Sequence, residues 1–213
     1  GYNAMIDGAP YTDDHGHGTH VAGTIAALDN GEGVAGVAPQ ARLFAVKVLS
    51  AKGGGTYGDI IDGIQWCVAN GMDVVNMSLG APGGTSALDK AVKAAEKAGI
   101  VVVAAAGDGG AVVFPAGYPE ALAVAASDKG DKVADFSSRG PEVDFVAPGV
   151  NIRSTGKGGA YAWKSGTSMA APHVSGLAAL AESAHGVRGL KAVRGLLESA
   201  ATPDRLDGHL WAR

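Results

Sequence analysis

Five short runs rich in valine and alanine, most of them separated by stretches of helical periodicity, most narrow what this chain can fold into. They lie at residues 43–49, 73–79, 100–107, 121–127 and 143–147. Each is apolar at nearly every position instead of alternate ones, which is the pattern of a strand covered on both faces in a parallel sheet. Between them, residues 57–70 place Ile60, Ile61, Ile64, Cys67 and Val68 on one helical face, and residues 86–98 do the same with Leu88, Ala91, Val92 and Ala95. Gly71 and Gly99 follow as C-terminal caps. Strand, helix, strand, helix, strand predicts an α/β fold: a doubly wound, mostly parallel sheet with helices on both faces. Residues 18–28 and 167–184 are crowded with Ala, Gly, Ser and Thr and lack a polar face, so they read as buried helices. A charged helix near 188–200 and a turn at 202–204 close the chain, and with no linker or repeat a single domain over 1–213 is expected.

Composition excludes several classes of partner. The net charge is −4, with lysines and arginines scattered among acids, so no basic stripe invites nucleic acid or an anionic membrane surface. No apolar run approaches the roughly 18 residues of a membrane span, and the first residues lack a basic start and an apolar signal core. The 34 glycines follow no repeat, which argues for tight turns and close backbone approaches over a collagen-like or low-complexity chain. The single cysteine, Cys67, sits among Ile64, Trp66 and Val68 and reads as core filling.

Polar residues capable of chemistry cluster in three places. Ser168 opens a helix, where its hydroxyl and the nearby backbone N–H groups gain from the positive end of the helix dipole; a serine there can be a nucleophile or simply an N-cap. His17 also opens a helix and is the side-chain type suited to accept a proton near neutral pH, while His20, one turn on, reads as structural. His15, His17 and His20 with Asp13 and Asp14 raise a zinc reading, which lacks a further distant ligand. Gly53, Gly55 and Gly58 spell G-x-G-x-x-G between a strand and a helix, the pattern of a dinucleotide turn, but its acid partner would be Asp73, which begins its strand instead of ending it.

Two motifs taken together, HGTHVAG at 17–23 and GTSMAAPHVSG at 166–176, resemble those of the subtilisin family around its base and its nucleophile. GVAPQARLFAVKVL, MDVVNMSLG, IVVVAAAG, FSSRG and VAPG extend the resemblance over nearly the whole chain. It implies a secreted serine endopeptidase that forms an acyl-enzyme on Ser168, with His17 as general base and polypeptide as substrate, and with no cofactor for the chemistry. It further implies that Ser78, Leu79, Gly80, Ala105, Ala106 and Gly107 line a specificity pocket, and that Gly53, Gly54 and Gly55 form an edge for an extended peptide. The loop at 28–34 is similar to the family's calcium loop, with Leu28, Asn30, Glu32 and Val34 as ligands to a structural calcium, although these four are fewer than such an ion needs.

Two positions depart from the family. The family's strand ending in Asp-Ser/Thr-Gly, which supplies a carboxylate to the histidine, belongs before the first residue here, so that strand or a propeptide is an expected partner. Where the family has an asparagine facing the oxyanion, this chain has Asp108. The expectation is therefore a weakened peptidase, with a non-catalytic domain that binds extended peptides or a partner protein as the alternative.

Overall fold

The computed structural model describes residues 1–203 and 210–211. Its main sheet runs β3 (Val74–Met77), β4 (Val101–Ala105), β5 (Ala121–Ser127) and β6 (Val143–Pro148), all parallel. Beyond β6 it is extended by β10 (Leu210–Trp211), parallel, and by β9 (Thr202–Pro203), antiparallel to β10. The turn expected at 202–204 is thus a strand over its first two residues, and Asp204 lies outside the described residues.

Alternation along each strand explains the continuous apolar runs. Val101, Val103 and Ala105 of β4 face one way, with Leu122 and Val124 of β5, onto α4 (Thr167–His185) and α5 (Leu190–Ala200). Val102 and Ala104 face the other way, onto α3 (Ser86–Lys97) and, with Met77, towards Ile64 of α2 (Tyr57–Ala69). Every residue of β4 and β5 is buried because helices cover both faces, and the doubly wound architecture follows. α1 (His17–Ala26) packs against α4 and against the antiparallel pair β7 (Ile152–Thr155) and β8 (Tyr161–Lys164).

One expected strand departs from the sheet. Of residues 43–49 only β2 (Val46–Lys47) is extended with a partner, and that partner is β1 (Tyr2–Asn3), not β3. Leu43 and Phe44 remain 47% and 44% exposed. β3 therefore forms the edge of its sheet, and Val74, Val75 and Asn76 are half-buried where β4 is fully covered. A cleft of about 2640 Å³ is lined by β2 on one side and β3 on the other, with Ile64 and Cys67 of α2 also in its wall. The run is as apolar as a central strand, but its neighbour across the cleft is not within pairing reach, so the parallel ladder breaks there.

Candidate active site

Ser168 is the second residue of α4, one of the helix-start positions whose backbone N–H has no partner within the helix. Gly166, the N-cap, has no side chain to offer, and the cap comes from the loop after β4 instead: Thr167 N–H and the Thr167 hydroxyl both donate to Asp108 Oδ1, at 2.8 and 2.9 Å. Met169 N–H donates to Gly166 O, which leaves the Ser168 amide between two occupied neighbours. Gly107 N–H donates to Thr167 Oγ1 at 3.0 Å, tying the end of β4 to the helix start.

The Ser168 hydroxyl donates over a long 3.3 Å to Ser78 O, and Ser78 Oγ donates to Ser168 O at 2.7 Å. Behind this pair, Asn76 Nδ2 donates to Ser78 Oγ at 3.0 Å, and Ser175 Oγ donates to Asn76 Oδ1 at 2.9 Å. Reasoning from sequence missed Asn76, Ser175 and Thr167 as supports of the site. An asparagine within VVNM, a strand otherwise apolar, is the signal that could have found the first.

His17 is the first residue of α1 and follows Gly16, whose φ of 95° is a left-handed turn that glycine accepts without strain. Its imidazole is half-buried; burial first, then the positive charges of Lys164 and His15, hold it below the usual histidine range, while Asp13 pulls weakly the other way. Lys164, at the end of β8, lies near enough for its charge to act on His17, which the motifs did not reveal. No hydrogen bond joins Ser168 to His17 among the described residues, and a catalytic bond of this kind commonly tightens only with substrate.

None of the three acids before His17 reaches its ring. Asp13 caps α1: one oxygen accepts His15 N–H and Gly16 N–H, the other Thr19 N–H and the Thr19 hydroxyl. Burial opposes ionisation there, but these donors outweigh it and hold the carboxyl well below the usual range. Asp14 is paired with Lys47 at 2.7 Å, and Asp7 is exposed. His20 is fully buried, its Nε2 within 3.0 and 3.2 Å of Ile152 O and Ala162 O, so it locks β7 and β8 onto α1.

Gly53, Gly54 and Gly55 form an exposed turn, closed by Ser50 N–H to Gly54 O and Gly53 N–H to Ser50 O, beside the cleft that also takes in His17, Ser78, Leu79 and Gly80. Ala105, the last residue of β4, and Ala106 and Gly107 after it are not part of that cleft's lining. The dinucleotide reading fails on structure. The start of α2 is closed by its own capping box, Thr56 with Asp59, so no anion site is open, and Asp73 is paired with Arg188 at 3.1 Å.

The zinc cluster does not form: among the described residues no three His, Cys, Asp or Glu side chains converge as metal ligands. In the loop at 28–34, Leu28, Asn30 and Glu32 are exposed and Val34 is half-buried; Asn30 Oδ1 accepts Glu32 N–H at 3.1 Å within the turn. Four oxygens, one already engaged, fall short of the six to eight that calcium takes.

The sequence model of the subtilase family matches residues 2–210. Subtilisin E of Bacillus subtilis (strain 168) is 54% identical over 199 residues, which cover 91% of this chain and 52% of that protein. Subtilisin DY of Bacillus licheniformis is 50% identical over 206 residues, covering 93% and 75%. The crystal structure of a cold adapted subtilisin-like serine proteinase superposes with a TM-score of 0.89 at 38% identity, over 100% of this chain and 79% of that one. The chain spans about half the length of curated relatives such as subtilisin E.

Proposed function

The chain belongs to the subtilase family, and from that premise we propose that it is a serine endopeptidase with Ser168 as nucleophile and His17 as general base. The observation that carries the reading is at the start of α4. Ser168 offers there both a hydroxyl held by only one long bond and a backbone N–H free to face an oxyanion.

In this reading His17, kept neutral at pH 7 by its environment, takes the proton as Ser168 Oγ bonds to the substrate carbonyl carbon. It then returns that proton to the departing amine, and water reverses the sequence to free the acid. An extended polypeptide would lie between the Gly53–Gly55 turn and Ser78–Gly80, held mainly by main-chain hydrogen bonds. Asp108 would face the oxyanion with a second, poorer partner, because an ionised carboxylate accepts and cannot donate.

The group that orients His17 would come from a strand seated in the cleft between β2 and β3, from a preceding segment or a propeptide, with its carboxylate beneath the imidazole. Action outside the cell goes with this reading; no described helix is long and apolar enough to cross a membrane. A calcium ion at the 28–34 loop would be structural, and would need oxygens from beyond the four named.

The test is hydrolysis of a chromogenic peptide by the chain and by Ser168→Ala. Weak turnover that vanishes in the variant, with thermal unfolding unchanged, is expected. Hydrolysis that persists in a clean Ser168→Ala preparation overturns the assignment.

A further inference from the structure

The segments at the ends of β3 and β4, Ser78–Gly80 just past the one and Ala105–Gly107 from the last residue of the other, would flank the substrate side chain next to the bond that Ser168 attacks. A third segment sends one side chain between them. Val113 is pinned by its backbone, its N–H donating to Ala106 O and its carbonyl accepting Gly117 N–H, each at 2.9 Å. Its neighbours turn the other way: Val112 and Phe114 both pack against the apolar layer formed with α2 and α3, whereas half-buried Val113 joins none of the core clusters.

The Val113 isopropyl group fills the space between the two walls. A methyl built on Gly80 would overlap Val113 Cγ2, and one built on Gly107 would lie 3.0 and 3.1 Å from the two γ-methyls. Both glycines are therefore packed against the same side chain. The large cleft accordingly takes in Ser78, Leu79, Gly80, Ala81 and Phe114 yet stops short of Ala105–Gly107.

We infer that Val113 floors the specificity pocket and limits the residue that acylates Ser168 to small side chains such as glycine, alanine and serine. A phenyl ring could enter only by displacing an isopropyl group fixed through its backbone on both sides, and overpacking of that kind is unfavourable. The inference rests on the peptidase reading above and adds the substrate class to it.

Peptidyl diphenyl phosphonates test it, since they bond phosphorus to the serine oxygen as phenol departs with the proton. Two probes, with alanine or phenylalanine at the reacting position, are compared by the rate at which Ser168 is modified, followed by intact mass. The parent should react faster with the alanine probe by about 10-fold or more, the scale on which a pocket discriminates by fit. In Val113→Gly the ratio should fall to one or reverse, through a faster phenylalanine reaction. Val113→Ala should move it in the same direction, which keeps the test intact if the glycine variant folds poorly. Equal rates in the parent, or a ratio unmoved in both variants, would overturn the inference. A small alkyl fluorophosphonate with no side chain to fit serves as the reference: if it modifies Ser168 while the ratio stays flat, only the pocket assignment falls. If it too fails, the peptidase reading falls and the inference with it.

Discussion

At the residue scale the proposed reading gives Asp108 two roles that pull against each other. Its Oδ1 caps α4 through Thr167, which a carboxylate does well, while the oxyanion role proposed for it calls for a donor. Asp108→Asn keeps an oxygen for Thr167 and gains an amide for the oxyanion, so its melting temperature should stay close to the parent's while kcat at pH 7 to 8 rises. The ceiling is about 10²–10³ in kcat, the cost of losing one such donor as measured on a subtilisin itself. A variant no faster than the parent would remove Asp108 from the oxyanion site.

Three imidazoles, His20 buried and His17 and His173 half-buried, bear on the pH response near neutrality. His17, His20 and His173 are all held below the ordinary histidine value, each chiefly by burial. The unfolded chain therefore binds protons that the folded chain refuses, and stability rises with pH across that window. It should be complete above about pH 6.5 and decline as pH falls from there through the lowered folded values. Chemical denaturation at a series of pH values checks this; a midpoint flat between pH 7 and 5 contradicts it. That His17 and Ser168 stand at helix starts was legible in the sequence because both sit inside contiguous motifs. Val113 was not, because which way a valine points depends on pairing with Ala106, some way off in the chain.

At the scale of elements, β3 carries the site's hidden support. Asn76 bridges Ser78, just past the end of its strand, to Ser175 in the middle of α4, so the strand end is tied to the helix that carries Ser168. Asn76→Leu removes one of the two bonds of each hydroxyl, Ser78 Oγ keeping Ser168 O and Ser175 Oγ keeping Ala171 O, and should cost about 0.5–1.5 kcal/mol for each bond lost. It should also lower kcat more than it raises KM, because Ser78 contacts Ser168 and the substrate edge is left in place. Unchanged kcat with lowered stability would reduce Asn76 to a packing role.

The helices were well marked by periodicity and by caps such as Gly71 and Gly99, both at positive φ. The antiparallel pair β7–β8 was missed, although Gly156, Gly158 and Gly159 between two short mixed strands form a turn signal. The misplacement of residues 43–49 has a different cause. An apolar run shows that a strand is meant to be covered, and nothing in its own composition says whether the covering strand is at hand.

For the whole molecule, the cleft between β2 and β3 is where the fold and the chemistry meet. It exposes two sheet edges, and Cys67 in its wall has a thiol pushed up to about 11 by burial. A synthetic peptide of strand-forming residues ending in Asp-Ser-Gly should seat there, slow the reaction of Cys67 with a thiol reagent, and raise peptide hydrolysis. Loss of the orienting aspartate costs about 3 × 10⁴ in kcat in subtilisin itself, which bounds the gain. The same peptide with asparagine for aspartate should protect Cys67 without raising hydrolysis. Hydrolysis unaffected by a peptide that does protect Cys67 would separate the strand from the catalytic role given to it.

The central claim, a serine nucleophile served by His17 at paired helix starts, is met most directly by treating the folded 213-residue chain with an alkyl fluorophosphonate and locating the adduct by peptide mass spectrometry. The account predicts a single adduct on Ser168 that forms more slowly in His17→Ala. An absence of adduct on Ser168 in protein with an intact thermal transition, or a rate indifferent to His17→Ala, would contradict it.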